Sequence, residues 1–388
     1  MKNLTRDSIG VGIVGTGLMG VAHTNALREN GIQVHGILGS SVEKAQKFAE
    51  DMNIDCIYES FEDMLADDTI DVIHLTTPNH LHYVHAKAAL LAEKHVACEK
   101  PLTMNPEESR ELFFLAKEKS LVNVVNFNVR MYPMVQKARS MVQNGEIGGL
   151  FIIQGSYLQD WLLYPTDWNW RLDPKMGGQS RTVGDIGSHW IDLVSYISGL
   201  RITEVFADFK TFHQKRMKPI QSTSNSLLPG YQEIKINSED YASILLHFEN
   251  GVQGVLTISQ MCAGHKNKIS FNMNASHSSL IWNGEKADEL WVGHRDEPNQ
   301  ILLADSMLNI EKNAKNDEAP EFHNQVFSNT FKELYGRVYR YILAGDYTQK
   351  PDFPTFEDGH YGMLVLDAIE TSAREKSWKK VRLEDLNY

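Results

Sequence analysis

Two stretches of this sequence carry side chains whose types and spacing could move a proton and steady a developing negative charge. In the first, Glu99-Lys100-Pro101 follows directly on the apolar run Val96–Cys98, which puts a lysine at the end of a buried strand. In the second, Asp185-Ile186-Gly187-Ser188-His189-Trp190-Ile191-Asp192 sets Asp185 and His189 four apart and His189 and Asp192 three apart, spacings that share one face of a helix. A histidine has an ordinary pKa of about 6.5, which suits His189 to work as a general base. Lys100 can bind the oxygen that gives up the proton and stabilise it as an alkoxide. Asp185 can orient a substrate hydroxyl or hold His189. The residues alone leave a second reading open: an acidic side chain complementing a helix N-terminus, with a hydrogen-bonded structural histidine behind it.

Groups that move protons need something to react, and the start of the chain suggests what it is. The apolar run Val11–Val14 leads into Gly15-Thr16-Gly17-Leu18-Met19-Gly20, and a helix-compatible stretch follows to about Asn30. In a strand–turn–helix, the first glycine permits the turn and the second lets a pyrophosphate approach the backbone. The third lets the helix pack close to the strand. The phosphates then sit at the helix N-terminus, where unpaired N–H groups and the dipole favour anions. Further apolar runs at Val34–Leu38, Val72–Leu75, Val96–Cys98 and Val122–Val125 alternate with helix-like stretches. That alternation predicts a parallel sheet covered on both faces, with ligands beyond the C-terminal ends of its strands.

After the second strand an acidic residue would normally bind the ribose 2′-hydroxyl of NAD, but the sequence there is Gly39-Ser40-Ser41. No carboxylate repels a 2′-phosphate and two hydroxyls can donate to one, although no arginine stands beside them. The expectation is NADP or NAD, with NADP favoured. After the next strand, Thr76-Thr77-Pro78-Asn79 reads as a turn into a helix. His80, His82 and His85 follow, yet only His82 and His85 share a helix face and no Cys or carboxylate completes a metal set. No metal site is expected.

The whole-chain numbers agree with such an enzyme. At 388 residues, two domains are the prior. The net charge of −12 argues against nucleic acid or an anionic membrane surface as the main partner. Cys56, Cys98 and Cys262 lie far apart, as in a reducing compartment, and no run approaches membrane-spanning length. A cytoplasmic protein is expected.

In the second half, Trp161, Trp168, Trp170 and Arg171 sit in one aromatic segment. Aromatic faces can pack on sugar C–H groups while Trp N–H and Arg donate to hydroxyls. Trp161 and Trp168 suit a pocket or a structural role equally, whereas Trp170 and Arg171, nearer Asp185, favour the site. Strand-like runs follow at Thr203–Phe212, Tyr241–Glu249, Val252–Gln260, Lys268–Asn274 and Leu290–Gly293, and Asn250-Gly251 marks a hairpin. Gln221–Ser238 reads as an inserted loop. Helices are expected from Phe322 to about Leu343 and over Glu357–Ala373. A broad sheet with one uncovered face favours a subunit interface across it, hence a homodimer or homotetramer.

Taken together, the sequence resembles the Gfo/Idh/MocA family, which includes glucose–fructose oxidoreductase and inositol dehydrogenase. The likeness rests on the glycine turn, on Thr77-Pro78-Asn79 with His82, and on Glu99-Lys100-Pro101. It continues through Asn128-Val129-Arg130-Met131-Tyr132-Pro133, Gly145-Glu146-Ile147-Gly148 and Gly177-Gly178, and ends on Asp185-x-Gly187-x-His189. The resemblance implies an α/β chain: a Rossmann domain over 1–134 and an α/β domain with a large, open, mainly antiparallel sheet over 135–350. A C-terminal helix within 351–388 is expected to return towards the first domain. It implies hydride exchange between nicotinamide and a secondary alcohol or ketone carbon of a sugar, sugar derivative or polyol. Lys100, Asp185 and His189 fall at the family's catalytic positions. The expected cofactor set is Gly15, Thr16, Gly17, Leu18, Met19, Gly39, Ser40, Ser41, Thr77, Pro78, Asn79, His82, Glu99, Lys100, Asn128, Trp170 and Arg171. Arg130, Trp161 and Arg171 join the catalytic residues around substrate. The alternatives are a non-catalytic nucleotide sensor and a reductase of a non-sugar substrate on the same scaffold.

Overall fold

Short aliphatic runs with no polar face are stable only as strands buried on both sides, and the first part of the chain uses them that way. The computed structural model describes residues 4–220, 230–304 and 326–386. It divides into two units: Met1–Met131 with Phe327–Leu364 and Leu383–Tyr388, and Tyr132–Val326 with Val365–Arg382. The first unit runs β1 (Val11–Val14), α1 (Leu18–Glu29), β2 (Val34–Leu38), α2 (Val42–Met52), β3 (Cys56–Ile57) and α3 (Phe61–Ala66). It continues with β4 (Val72–Leu75), α4 (His82–Leu91), β5 (His95–Cys98), α5 (Pro106–Glu118) and β6 (Asn123–Val125). All pairings are parallel, in the order β3-β2-β1-β4-β5-β6, so the strand order reverses between β1 and β4. Local chemistry sets the helix starts. Ser41, Ser60 and Asn105 each accept a backbone N–H at the head of α2, α3 and α5.

The second unit opens with α6 (Pro133–Gln143), β7 (Leu150–Leu158), a one-turn α7 (Pro174–Gly177) and α8 (Ser188–Ser198). It then builds β8 (Ile202–Lys210), β9 (Lys215–Ile220), β10 (Gly230–Lys235), β11 (Tyr241–Phe248), β12 (Gln253–Ser259) and β13 (Lys268–Ala275). Strands β14 (Ser278–Asn283), β15 (Glu289–His294) and β16 (Gln300–Leu303) complete the run. The large sheet is ordered β16-β15-β14-β13-β7-β12-β11-β8, antiparallel except where β12 runs parallel to β7. Alternation decides its faces. Ala242, Ile244, Leu246 and Phe248 of β11 are buried, while Leu245 points to the other face and is exposed. Asn250 and Gly251 both take positive φ (60° and 79°), which matches the twist of the β11–β12 hairpin. On the covered face α8 docks through Trp190, whose ring N–H donates to Ser270 O at 2.8 Å. Gly155 makes room for it, since a Cβ there would lie 2.6 Å from the indole nitrogen.

The C-terminal elements serve both units. Helix α9 (Val326–Ala344) buries Phe331, Leu334, Tyr335, Val338, Tyr339 and Ile342 against one face of the parallel sheet, together with Leu27 of α1 and Phe48 of α2. Each such side chain contributes about 1.5–3 kcal/mol. Helix α10 (Phe356–Glu375) gives its first part to the first unit and its second to the other, and β17 (Lys379–Lys380) pairs with β8. The first division between the units falls at Met131/Tyr132, and α9 is a covering helix of the parallel sheet. The inserted loop expected over 221–238 is corrected in part: Gly230–Lys235 is β10, paired with β9, and 221–229 lies outside the described residues. Strands β3, β9, β14 and β16 were not anticipated. Among the described residues no helix is long and apolar enough to cross a membrane.

One buried group on α10 makes stability depend on pH. Burial, reinforced by the charges of Glu239 and Asp367, pushes the Glu370 carboxyl up to about 7 from 4.5. Between those values the unfolded chain has released a proton that the folded one retains, so Glu370 costs stability increasingly as pH rises through that window. Glu370→Gln should leave Tm nearly unchanged at pH 5 and raise stability by about 1–3 kcal/mol at pH 8. A gain equal at both pH values in thermal unfolding contradicts this.

Candidate functional site

The glycine turn lies at the reversal between β1 and β4, and its three glycines meet three different constraints. Gly15 has φ +117° and a Cβ there would lie 2.5 Å from Thr76 Oγ1, so the turn closes on the end of β4. A Cβ on Gly20 would lie 2.4 Å from Gly15 O, which is the close helix–strand approach. Gly17 has nothing within 4 Å of its Cβ position. It caps α1 with no side-chain hydrogen bond, so the first amides of α1 are left for an external acceptor. Beside it Leu18 is 79% exposed. At the end of β4, Thr77 Oγ1 is buried without a hydrogen-bond partner. An open backbone approach, an uncapped helix start and an orphaned hydroxyl fit the pyrophosphate side of a dinucleotide.

At the end of β2 the structure explains the missing carboxylate. A Cβ on Gly39 would lie 2.9 Å from Ala45 N and 3.0 Å from Ser41 O, so no side chain fits there. Ser41 accepts from Lys44 N, and Lys44 Nζ donates to Ser40 Oγ at 3.2 Å. The cation that sequence reading found missing beside the serines is therefore Lys44, one helical turn further on. The signal was its i+4 spacing from Ser40.

Other residues expected at the cofactor or the substrate, the latter Arg130, are buried. His82 is fully buried, with Nδ1 2.8 Å from Pro101 O and Nε2 2.9 Å from Thr77 O, so it ties the Lys100-Pro101 turn to the end of β4. Burial lowers its pKa, against the pull of both carbonyls. Asn128 Nδ2 donates to Thr330 Oγ1 at 2.7 Å, and Arg130 pairs with Asp358 at 2.8 Å. Asn79 is buried in the turn before α4. Glu99 is buried as well: its carboxylate accepts from His23 Nε2 at 3.1 Å, from Asn126 Nδ2 and from Lys100 N at 3.3 Å. Among the described residues no group of three or more His, Cys, Asp or Glu could hold a metal. His85 packs on Phe61 at 4.6 Å between ring centres, and burial lowers its pKa to about 4.

In the second unit Asp185 does not start an α-helix as expected. Val183–Gly187 forms a π-turn that runs into α8. Its stem is held by the buried Glu239, whose carboxylate accepts from Ser180 Oγ (3.0 Å), Arg181 N (3.2 Å) and Val183 N (2.8 Å). Asp240 beneath it pairs with both Arg181 and Arg216. Asp185 thus presents its carboxylate sideways: Arg171 Nε donates to Oδ1 at 3.0 Å and Gln260 Nε2 to Oδ2 at 2.8 Å. Arg171 in turn lies over the Trp170 ring, 4.4 Å from its centre. The network extends through Gln159 Oε1, which accepts from Gln260 Nε2 (3.4 Å) and Trp161 Nε1 (2.8 Å), to Asn267 Oδ1, which accepts from Gln159 Nε2 (3.1 Å) and Tyr157 OH (2.6 Å). The His189 ring sits 6.3 Å from that of Tyr157. Sequence reading missed Gln159, Gln260 and Asn267. They gather because β7, β12 and β13 are neighbours in the sheet, so the ends of β7 and β12 and the start of β13 meet. That adjacency has no local sequence signal. Lys100 belongs to the first unit, and Asp185 and His189 to the second.

Comparison with known proteins follows the same division. Residues 9–127 match the model described as "oxidoreductase family, NAD-binding Rossmann fold", and residues 135–281 match the GFO/IDH/MocA C-terminal domain. The chain is 29% identical to levoglucosan dehydrogenase of Pseudarthrobacter phenanthrenivorans, over 97% of this chain and 98% of that protein. It is 26% identical to glucose-6-phosphate 3-dehydrogenase of Bacillus subtilis, over 84% and 95%. A solved structure of levoglucosan dehydrogenase in complex with NADH and L-sorbose superposes with TM-score 0.87 at 28% identity, covering 98% of this chain and all (100%) of that one.

The glycine geometry separates folding from cofactor binding. Gly17→Ala has room, so stability should stay within about 1 kcal/mol of wild type while dinucleotide Kd rises at least ~10-fold, read by calorimetric titration. Gly15→Ala meets both a positive φ and Thr76, and should cost about 2 kcal/mol or more in denaturant unfolding. Equal stabilities for the two variants would refute this assignment.

Proposed function

The chain belongs to the Gfo/Idh/MocA family of oxidoreductases, with an NAD-binding Rossmann domain, and from this premise we propose that it moves a hydride between a nicotinamide dinucleotide and a secondary alcohol or ketone carbon of a sugar, sugar derivative or polyol. The observation that carries the substrate class is the hydrogen-bonded wall of Arg171, Asp185, Gln260, Gln159 and Asn267 in the same unit as His189. Its amides, guanidinium and carboxylate offer alternating donors and acceptors, which suit a ligand covered in hydroxyls. Trp161, fixed by its N–H on Gln159, can offer an aromatic face to the C–H side of a ring.

His189 takes the proton from the reacting hydroxyl in the oxidative direction and returns it in the reductive one. Lys100 stabilises the negative charge that develops as the proton leaves. Asp185 orients the substrate with one carboxylate edge while Arg171 and Gln260 fix the other groups around it. The dinucleotide, cradled at Gly15–Gly20 and by Thr77, supplies the hydride acceptor or donor. Ser40 and Lys44 favour a 2′-phosphate, hence NADP over NAD. A cytoplasmic homodimer or homotetramer, joined across the open face of the large sheet, completes the reading. That face carries the exposed Ile152, Leu245 and Ile281.

Lys100→Met and His189→Ala should each lower kcat by about 10²-fold or more with the fold intact. The assay is absorbance of the reduced nicotinamide across a panel of sugars and polyols, and wild-type rates in either variant would sink the assignment. For the cofactor, Ser40→Asp should move the NADP/NAD ratio of kcat/KM towards NAD by ~10-fold or more, and Lys44→Ala should move it the same way. If neither variant changes the ratio, the choice is made elsewhere in the pocket.

A further inference from the structure

Behind the glycine turn, the first unit contains a chain of buried polar side chains that the reaction described above does not use. His23, on α1 one turn beyond the glycines, is fully buried, as is His74 in the middle of β4. His23 Nε2 lies 3.1 Å from Glu99 Oε1, and the two Nδ1 atoms of His23 and His74 lie 3.1 Å apart. His74 Nε2 lies 2.9 Å from Tyr339 OH on α9. Tyr335, one turn earlier on α9, places its hydroxyl 2.9 Å from His23 Nε2 and 3.4 Å from Asn126 Oδ1. A carboxylate only accepts, so His23 Nε2–H donates to Glu99. His23 Nδ1 lies 3.1 Å from both His74 Nδ1 and the Tyr335 hydroxyl. Burial, with His23 beside it, holds His74 well below the usual histidine range, consistent with its neutral form.

This arrangement has a cost that packing alone does not explain. Aliphatic side chains of similar volume would bury here without ordering two imidazoles and two phenols. What the polar chain achieves is a buried carboxylate kept ionised: burial alone would raise Glu99, but His23, Lys100 and Asn126 overcome it and hold the carboxyl at about 2. That carboxylate accepts the backbone N–H of Lys100. We propose that the His74–His23–Glu99 chain is a positioning device for Lys100, fixing its backbone through the Glu99 carboxylate. Glu99 and His23 thus act through Lys100 as positioning residues. The other titratable groups facing Glu99 are Cys98 on its own strand, His82 on α4 and Tyr335 on α9, while Tyr339 faces Asp71. Burial raises Cys98 and both tyrosines, which are neutral across the working range, and lowers His82.

The inference rests on the proposed role of Lys100, and the experiment separates the two. The pH dependence of kcat/KM is measured for wild type, Glu99→Gln, His23→Leu and His23→Gln, with Lys100→Met as reference and Tm as the check on folding. Glu99→Gln weakens the acceptor that holds the Lys100 N–H and should lower kcat about tenfold while changing substrate KM less. His23→Leu removes the donor that holds the carboxylate, and should raise the acid limb and lower kcat. His23→Gln can still donate an N–H to Glu99 and should restore both towards wild type. If Glu99→Gln does not fold, His23→Leu against His23→Gln reads the same device. An unchanged kcat in a folded Glu99→Gln, or an unmoved acid limb and kcat in a folded His23→Leu, with Lys100→Met inactive, overturns the positioning device and leaves the Lys100 role standing. An active Lys100→Met overturns that role instead.

Discussion

A carboxylate taken out of water must have its lone pairs filled, and in both units that requirement fixes the turn beside it. In the first, Glu99 is buried at the end of β5 and accepts from His23, Asn126 and the Lys100 backbone. In the second, Glu239 is buried under the π-turn and accepts from Ser180, Arg181 and Val183. Glu99 takes one backbone N–H and Glu239 two from the turn beside it, and leaving those donors unpaired would cost about 1–3 kcal/mol apiece. The turns are held by hydrogen bonds that cannot be lost one at a time without penalty.

The π-turn follows from the same logic. An α-helical start at Asp185 would aim its side chain along the helix face it shares with His189. The wider turn presents it instead to Arg171 and Gln260, which occupy one carboxylate oxygen each. Such turns recur where a side chain has to be re-aimed at a site. Asp185 is then part of a continuous amide–carboxylate–guanidinium wall.

The parallel sheet shows how a distant part of the chain can be needed to finish a fold. Strands β1, β4 and β5 are wholly buried, so both faces must be covered. Helices α3, α4 and α5 supply Met64, Ala86, Leu90 and Leu112 for one face. The other would be short of cover without α9, more than 300 positions beyond the glycine turn. Once α9 is in place, its Tyr335 and Tyr339 hydroxyls become available to the buried histidines, so the covering helix also completes the polar chain beneath Lys100.

The sequence by itself determined the elements whose signals are local. The glycine spacing, the alternation of apolar runs with helices, the Asn250-Gly251 hairpin and the Glu99-Lys100-Pro101 and Asp185-x-Gly187-x-His189 stretches all declare themselves within a few residues. They were enough for the α/β class, the dinucleotide turn and the family. Tertiary structure alone decided which polar groups meet. The exception is local: Lys44 stands beside Ser40 because Ser41 starts a helix there, and that same helix start crowds the Cβ position of Gly39. Gln159, Gln260 and Asn267 meet because strands far apart in sequence are neighbours in the sheet. Likewise His23, His74, Glu99 and Tyr339 form one chain because α1, β4, β5 and α9 converge on one core. Local periodicity encodes which face of an element is buried. It does not encode what that face will find there, because the partner's identity depends on strand order and on which helix covers the sheet.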